Sequence, residues 1–289
     1  MHDNRRSGLA REPACHRRFA ARGRSYDGIS MQDVGPTWVE RHINMSDSVV
    51  YGLHAVEALL QRAPERVTGL WALRGRHDAR LETLLAAARA AGIVIHSVER
   101  TELDEMTQAG RHQGVVARCT VVAALDEGGL QDLVTGLTVP PLLLVLDGVQ
   151  DPHNLGACLR SADAAGVHAV IAPNDRAAGL TATARKVASG AAENIPFAQV
   201  TNLARTLRWL QDFGIWIVGA AGEAEQTLYD LDLRGPLAIV LGAEEKGLRR
   251  LTRECCDHLA RIPMAGSVAS LNVSVAAGLF LFEAVRQRR

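Results

Sequence analysis

From residue 142 onward, short runs of aliphatic residues alternate with stretches whose apolar positions recur every three to four residues. The runs at 142–146, 168–172, 215–219, 237–241 and 259–262 are nearly free of polar side chains, as expected for strands buried on both faces. Helical periodicity predicts helices from about residue 154, at 182–189, at 202–213, from 248, and at the C-terminus. Such alternation implies crossover connections and a mostly parallel α/β sheet with helices on both faces. Ligands bind these sheets beyond the carboxyl ends of the strands, so the segments following each run are the places to look for chemistry.

Residues 49–122 carry a different pattern, that of a small αβ sandwich. A strand is predicted at 67–73, and Asp78 can cap a helix in which Leu81, Leu84, Leu85 and Ala88 fall on one face. Gly92 ends that helix, a strand follows at 93–98, a short helix at 101–107 and another strand at 114–122. The pattern weakens over 123–141, where Gly128-Gly129 and Pro140-Pro141 flank a short helical stretch, and this segment reads as a linker. Residues 1–44 show neither periodicity and carry clusters such as Arg17-Arg18 and Arg22-Gly23-Arg24. They read as a disordered basic extension, with Met45 as an alternative start of the chain.

Charge changes this picture in one respect. The chain has 32 Lys+Arg and 32 Asp+Glu, a formal net charge of zero, which excludes a nucleic-acid binder driven by bulk positive charge. Residues 1–44 hold eight Arg against five acids, leaving 24 basic and 27 acidic groups in the remainder. Lysine occurs only at Lys186 and Lys246; every other basic residue is Arg, the better fork for phosphate. The five cysteines form no C-x-x-C pair and read as buried thiols in a reducing, cytoplasmic setting. The Arg-rich N-terminus has no apolar stretch behind it, so no secretory signal is read. The uncharged run 262–282 is long enough to span a bilayer, but Pro263, Gly266, Ser267, Ser270, Asn272 and Ser274 argue for a loop followed by a buried helix.

Familiar nucleotide signatures are missing. No strand is followed by G-x-G-x-x-G, and Gly242 to Gly247 has P-loop spacing but continues with Leu248 and Arg249 where Lys and Ser/Thr are required. No metal-spaced His/Cys cluster is present in the sequence, so no metal is expected. Three polar segments nevertheless follow apolar strands. In the first, Asp147-Gly ends a strand, Asn154 can cap the next helix and Gly156 permits close approach of another backbone. An ordinary strand-to-helix turn accounts for these but not for Arg160, which stands among Leu155, Ala157, Cys158, Leu159 and Ala162, where an unpaired charge is costly. The second runs from Gly242 through Glu244 to Gly247, and Glu244 is the candidate partner of Arg160. In the third, Ser270 can cap the terminal helix, which leaves Asn272 in the first turn beside exposed N–H groups.

In this order and spacing the three segments resemble the signature motifs of the SpoU (TrmH) family of RNA ribose 2′-O-methyltransferases. The similarity spans residues 49–289, because Tyr51-Gly-Leu-His54 and His112-Gln-Gly114 resemble the N-terminal RNA-binding domain of the branch that acts on 23S rRNA. The resemblance implies an L30e-like αβ domain at 49–122 and a SPOUT methyltransferase domain with a deep trefoil knot at 142–289. It implies S-adenosylmethionine as cofactor, held at Leu241, Gly242, Ile262 and Leu271, and a homodimer without membrane attachment. The implied catalytic set is Asn154, Arg160, Glu244, Ser270 and Asn272. The implied reaction is methylation of a guanosine 2′-OH in the peptidyl-transferase P loop of 23S rRNA. Related readings are a tRNA or antibiotic-resistance rRNA methyltransferase, or a non-catalytic RNA-binding protein. Arg160 is the family's proposed proton acceptor; alternatively it grips the adjacent phosphate while water or that phosphate takes the proton.

Overall fold

The computed structural model describes residues 43–76, 78–244 and 246–289. The first unit contains β1 (Ile43–Tyr51), α1 (Leu53–Arg62), β2 (Val67–Leu73), α2 (Ala79–Ala90), β3 (Ile95–Val98), α3 (Arg100–Met106) and β4 (Val115–Val122). These strands form a sheet in the order β1-β4-β2-β3, with β4 antiparallel to both β1 and β2, and β3 parallel to β2. Asp78 caps α2 by accepting the Leu81 N–H at 3.1 Å, and Leu81, Leu84, Leu85 and Ala88 are buried together as their spacing requires. β1 is absent from the sequence reading because Asn44-Met-Ser-Asp-Ser48 has no alternation of apolar side chains. The expectation for residues 1–44 otherwise lies outside the described residues.

The stretch 123–141 is not a free tether. It carries α4 (Glu127–Gly136), capped by Asp126, and buries Leu125, Leu130, Leu133 and Val134 in the core of the second unit. Leu125 exchanges main-chain hydrogen bonds with Phe197 and Gln199, each at 2.8 Å. The Gly128-Gly129 pair, a poor helix former expected to flank the helical stretch, lies inside its first turn.

The second unit runs β5 (Leu142–Asp147), α5 (Pro152–Ala164), β6 (Ala169–Pro173), α6 (Ala182–Ala188), α7 (Ala191–Asn194), β7 (Phe197–Val200), α8 (Leu203–Asp212), β8 (Trp216–Ala220), β9 (Gln226–Thr227), β10 (Leu237–Gly242), α9 (Arg250–Glu254), β11 (His258–Arg261) and α10 (Val273–Arg288). Its strand order is β7-β6-β5-β10-β8-β11-β9, and every pair is parallel. The sequence reading contains neither β7, of four residues, nor β9, of two.

Successive side chains of a strand point to opposite faces, and β5 divides accordingly. Leu142, Leu144 and Leu146 join a core with Leu155, Leu159, Ala184 and Phe280 under α5, α6 and α10. Leu143 and Val145 join Leu130, Leu203 and Leu207 under α4 and α8. The chain moves outward from β5 to β6 and β7, then returns to build β10, β8 and β11 on the other side. The switch point therefore lies between β5 and β10, whose last paired residues are Asp147 and Gly242.

Close packing of α5 on α6 depends on Gly156. A Cβ there would lie 2.5 Å from the Ala184 carbonyl oxygen and 2.7 Å from Val187 Cβ, so the two helices would have to separate. Gly156→Ala is expected to destabilise the protein by about 1–3 kcal/mol, measurable as a lowered midpoint of urea unfolding.

Candidate active site

Three segments distant in sequence meet at the carboxyl edge of the parallel sheet. α5 starts with Asp151, not Asn154, as its N-cap; the Asp151 carboxylate accepts the His153 N–H at 2.9 Å. Asn154 is thereby freed for the site, and its Nδ2 donates to Glu244 Oε1 at 2.5 Å. Asn272 Nδ2 donates both to the same Glu244 oxygen at 2.8 Å and to Asn154 Oδ1 at 3.0 Å. One carboxylate oxygen thus receives two amide donors, the charge-assisted type of hydrogen bond that is short and strong.

Asn272 also caps α10. Its Oδ1 accepts from Ser274 N at 2.9 Å and Ser274 Oγ at 2.6 Å, so one side chain both starts the terminal helix and closes the polar cluster. The expected cap, Ser270, lies ahead of the helix and is exposed. A capping reading that stops at the first suitable residue misses this, because Leu271 separates two acceptable caps and only the structure decides between them.

Arg160 is exposed, and it has no hydrogen bond or ion pair among the described residues. The expected pairing with Glu244 is not formed. Six residues separate Arg160 from Asn154 on α5, which places it ~9 Å farther along the axis and on another face. The burial cost that suggested a partner does not arise, since the guanidinium reaches solvent and remains available for an external anion.

A cavity of about 400 Å³ opens beside the cluster, between the ends of β8, β10 and β11 and the start of α10. Leu241, Gly242, Ile262 and Leu271, the four residues expected at the cofactor, all line it, and Glu244 and Ser270 stand on the same wall. The rest of its lining is mostly glycine, alanine and larger apolar residues, including Phe280, together with Arg261. Cys158 lies under the cluster, and burial, with a smaller push from the Glu244 charge, raises its thiol to about 12. It is therefore a thiol at neutral pH and no nucleophile.

Sequence reasoning missed one element of this site. Asp147, fully buried at the end of β5, accepts the Arg249 main-chain N–H at 2.9 Å and also binds the Arg249 guanidinium. This link fixes both ends of the loop that carries Glu244: Gly242 is anchored in the sheet and Arg249 is anchored to Asp147. A carboxylate ending the apolar run 142–146 was the available signal.

Fold and site together define an α/β protein with a small-molecule cavity at the carboxyl edge of a parallel sheet, joined to a second αβ unit. Residues 141–282 match the model of the SpoU rRNA Methylase family, and residues 49–122 match that described as RNA 2′-O ribose methyltransferase substrate binding. The chain is 59% identical over 241 residues to the 23S rRNA (guanosine-2′-O-)-methyltransferase RlmB of Shewanella oneidensis, covering 83% of this chain and 98% of that protein. It is 60% identical over 240 residues to the protein of the same name from Escherichia coli K12, with coverage of 83% and 98%. Among solved structures it resembles the SpoU methyltransferase AviRb of Streptomyces viridochromogenes, with a TM-score of 0.68 and 26% identity over 84% of this chain and 90% of that one. It is also similar to an AdoMet-bound rRNA methyltransferase from Sinorhizobium meliloti, with a TM-score of 0.65 and 27% identity over 83% and 87% of the two chains. The chain belongs to the SpoU rRNA methylase family.

Proposed function

We propose that this protein transfers the methyl group of S-adenosylmethionine to the ribose 2′-OH of one guanosine in the peptidyl-transferase P loop of 23S rRNA. The observation that carries this reading is the Asn154–Glu244–Asn272 cluster beside the cavity at the end of β10, with Arg160, which has no partner among the described residues, on the same helix as Asn154. The relatives named for this activity share about 60% of their residues over nearly their whole length.

The cavity suits the cofactor. Its size falls within the range of small-molecule sites, most of its lining residues are apolar or glycine, and Glu244 places a carboxylate where a sulfonium would be favoured. Leu241, Gly242, Ile262 and Leu271 would hold the adenosine and methionine parts. The cofactor supplies a methyl group already activated by positive sulfur, which leaves the protein mainly the work of alignment. Asn154 and Asn272 fix the Glu244 carboxylate, and that rigid edge orients the ribose hydroxyl. Arg160 grips the phosphate next to the target ribose; as a guanidinium it stays protonated, and the hydroxyl proton passes to that phosphate or to water. Ser270 contributes from the cavity wall.

Three wider assignments belong to the same reading. The unit at 49–122 is an L30e-like RNA-binding domain, and the SPOUT unit is knotted, α10 returning onto α5 after the chain has visited the far-edge strands. The active form is a homodimer: Val275, Leu279 and Phe282 form one exposed apolar stripe on α10 beside Tyr229, and a second copy covers it. A cytoplasmic setting belongs to this reading too, supported by a ribosomal-RNA substrate and by the four thiols that are free among the described residues.

Incubation with labelled S-adenosylmethionine and separate pools of 23S rRNA and tRNA tests the assignment. Label is expected in 23S rRNA alone, at a single guanosine when 2′-O-methyl sites are mapped; label in tRNA instead would overturn it.

A further inference from the structure

The two units are docked through a buried set of charges. Arg66, in the turn between α1 and β2, and Glu193, on α7, are only 2% and 5% exposed. Arg66 Nη1 donates to the Glu193 carbonyl oxygen at 2.7 Å, and Arg66 Nη2 donates to Glu193 Oε2 at 2.6 Å and to the Thr120 carbonyl at 3.0 Å. The second Glu193 oxygen, Oε1, accepts from Arg185 of α6. A single carboxylate is therefore shared between an arginine of the substrate-binding unit and one of the parallel-sheet unit. Around it, Gly190 brings its backbone so near α1 that a Cβ would lie 3.5 Å from Ala55 Cα, and Arg62 pairs with Asp163 of α5 at 2.7 Å.

This set is a poor way to gain stability. Two arginines share one glutamate, and Arg66 Nε and Asn194 Oδ1 are buried with no partner among the described residues. Apolar residues of similar volume commonly stabilise such a contact more, whereas in some proteins a buried ionic set serves to select one geometry. Here that geometry is referred directly to the candidate site. Glu193 and Arg185 lie on α7 and α6, and α6 packs backbone to backbone on α5 at Gly156, the helix that presents Asn154 and Arg160.

We propose that Arg66, Glu193 and Arg185 are positioning residues that select the methylated nucleotide, by holding the RNA-binding sheet at one distance and angle from Arg160. This rests on the reading in Proposed function. An RNA anchored on the first unit then presents one ribose to the cavity, and neighbouring riboses fall short or overshoot.

The test uses full-length protein with Glu193→Gln, and with the apolar triple substitution Arg66→Met, Arg185→Met and Glu193→Leu. Turnover on 23S rRNA, the map of 2′-O-methyl sites, S-adenosylmethionine affinity and the distance between dyes placed on the two units are measured together. Glu193→Gln is expected to lower kcat on the order of 10²-fold, since displacement of about 1 Å suffices for that. KM for RNA and cofactor affinity should stay within about twofold, because neither binding surface is touched, and methylation should spread to adjacent riboses. A folded variant with one methylation site, wild-type kcat and an unchanged dye distance would overturn the proposal. If Glu193→Gln does not fold, the apolar variant decides by the same readouts. Wild-type protein inactive on 23S rRNA would sink the functional reading and this proposal with it; wild-type activity with unaltered variants would sink the proposal alone.

Discussion

Arg160→Ala is expected to lower methyl transfer on the order of 10³-fold while S-adenosylmethionine binds within about twofold of the wild-type affinity. The two readouts separate because Arg160 does not line the cavity that would hold the cofactor, whereas Glu244, Ser270 and Leu271 do. Having no partner to release among the described residues, the guanidinium loses nothing inside the protein when it is removed, so the deficit should fall on the reaction and not on stability. Arg160→Lys should recover little, since an ammonium cannot present the two-pronged donor set that fits a phosphate. Single-turnover rates with saturating cofactor, set beside calorimetric binding, check both statements. An alanine variant with near-normal turnover would remove Arg160 from the mechanism.

Gly242→Ala should act at the other step, weakening cofactor binding. A Cβ at residue 242 would lie 2.1 Å from the Gly247 carbonyl carbon, 2.2 Å from its oxygen and 2.4 Å from Leu248 N. All three atoms are backbone, so no side chain can swing aside. The loop is closed on itself by the Gly247 N–H donating to the Ala243 carbonyl at 2.8 Å and is tied at its end to Asp147, so it cannot yield cheaply. Displacing it moves Glu244 and one wall of the cavity together. Affinity for S-adenosylmethionine should fall on the order of 10²-fold or more, with about 1–3 kcal/mol lost from folding stability. Equilibrium binding and urea unfolding on the same sample test this; tight binding by the alanine variant would show that the loop relaxes freely.

The parallel sheet was readable because its strands are buried on both faces, and uninterrupted runs such as 142–146 admit few other interpretations. The close approach at Gly156 was readable too, since a glycine inside a small-residue helix implies a near neighbour. What escaped were features decided by competition. Asp151 and Asn154 can each cap α5, as Ser270 and Asn272 can each cap α10, and tertiary contacts with Glu244 choose among them. The Arg160–Glu244 pairing failed because burial was inferred from neighbours in sequence, while helical geometry turns residue 160 to the solvent. Asp147–Arg249 and Arg66–Glu193 join residues 102 and 127 apart, and no local pattern encodes such pairs.

Asn272 sets a schedule for the enzyme's birth. The side chain that completes the polar cluster is also the one that starts the last helix, and it must find a partner 118 residues upstream. A nascent chain can finish its first sheet and β5 through β11 on the ribosome and still lack the cluster, which closes only when the final stretch has been synthesised. Contacts of such sequence separation form late and slowly. On the proposed role of the cluster, truncated or stalled products ending before residue 272 are expected to be catalytically silent, so that a protein that modifies ribosomal RNA would become competent only after a ribosome has synthesised its last helix.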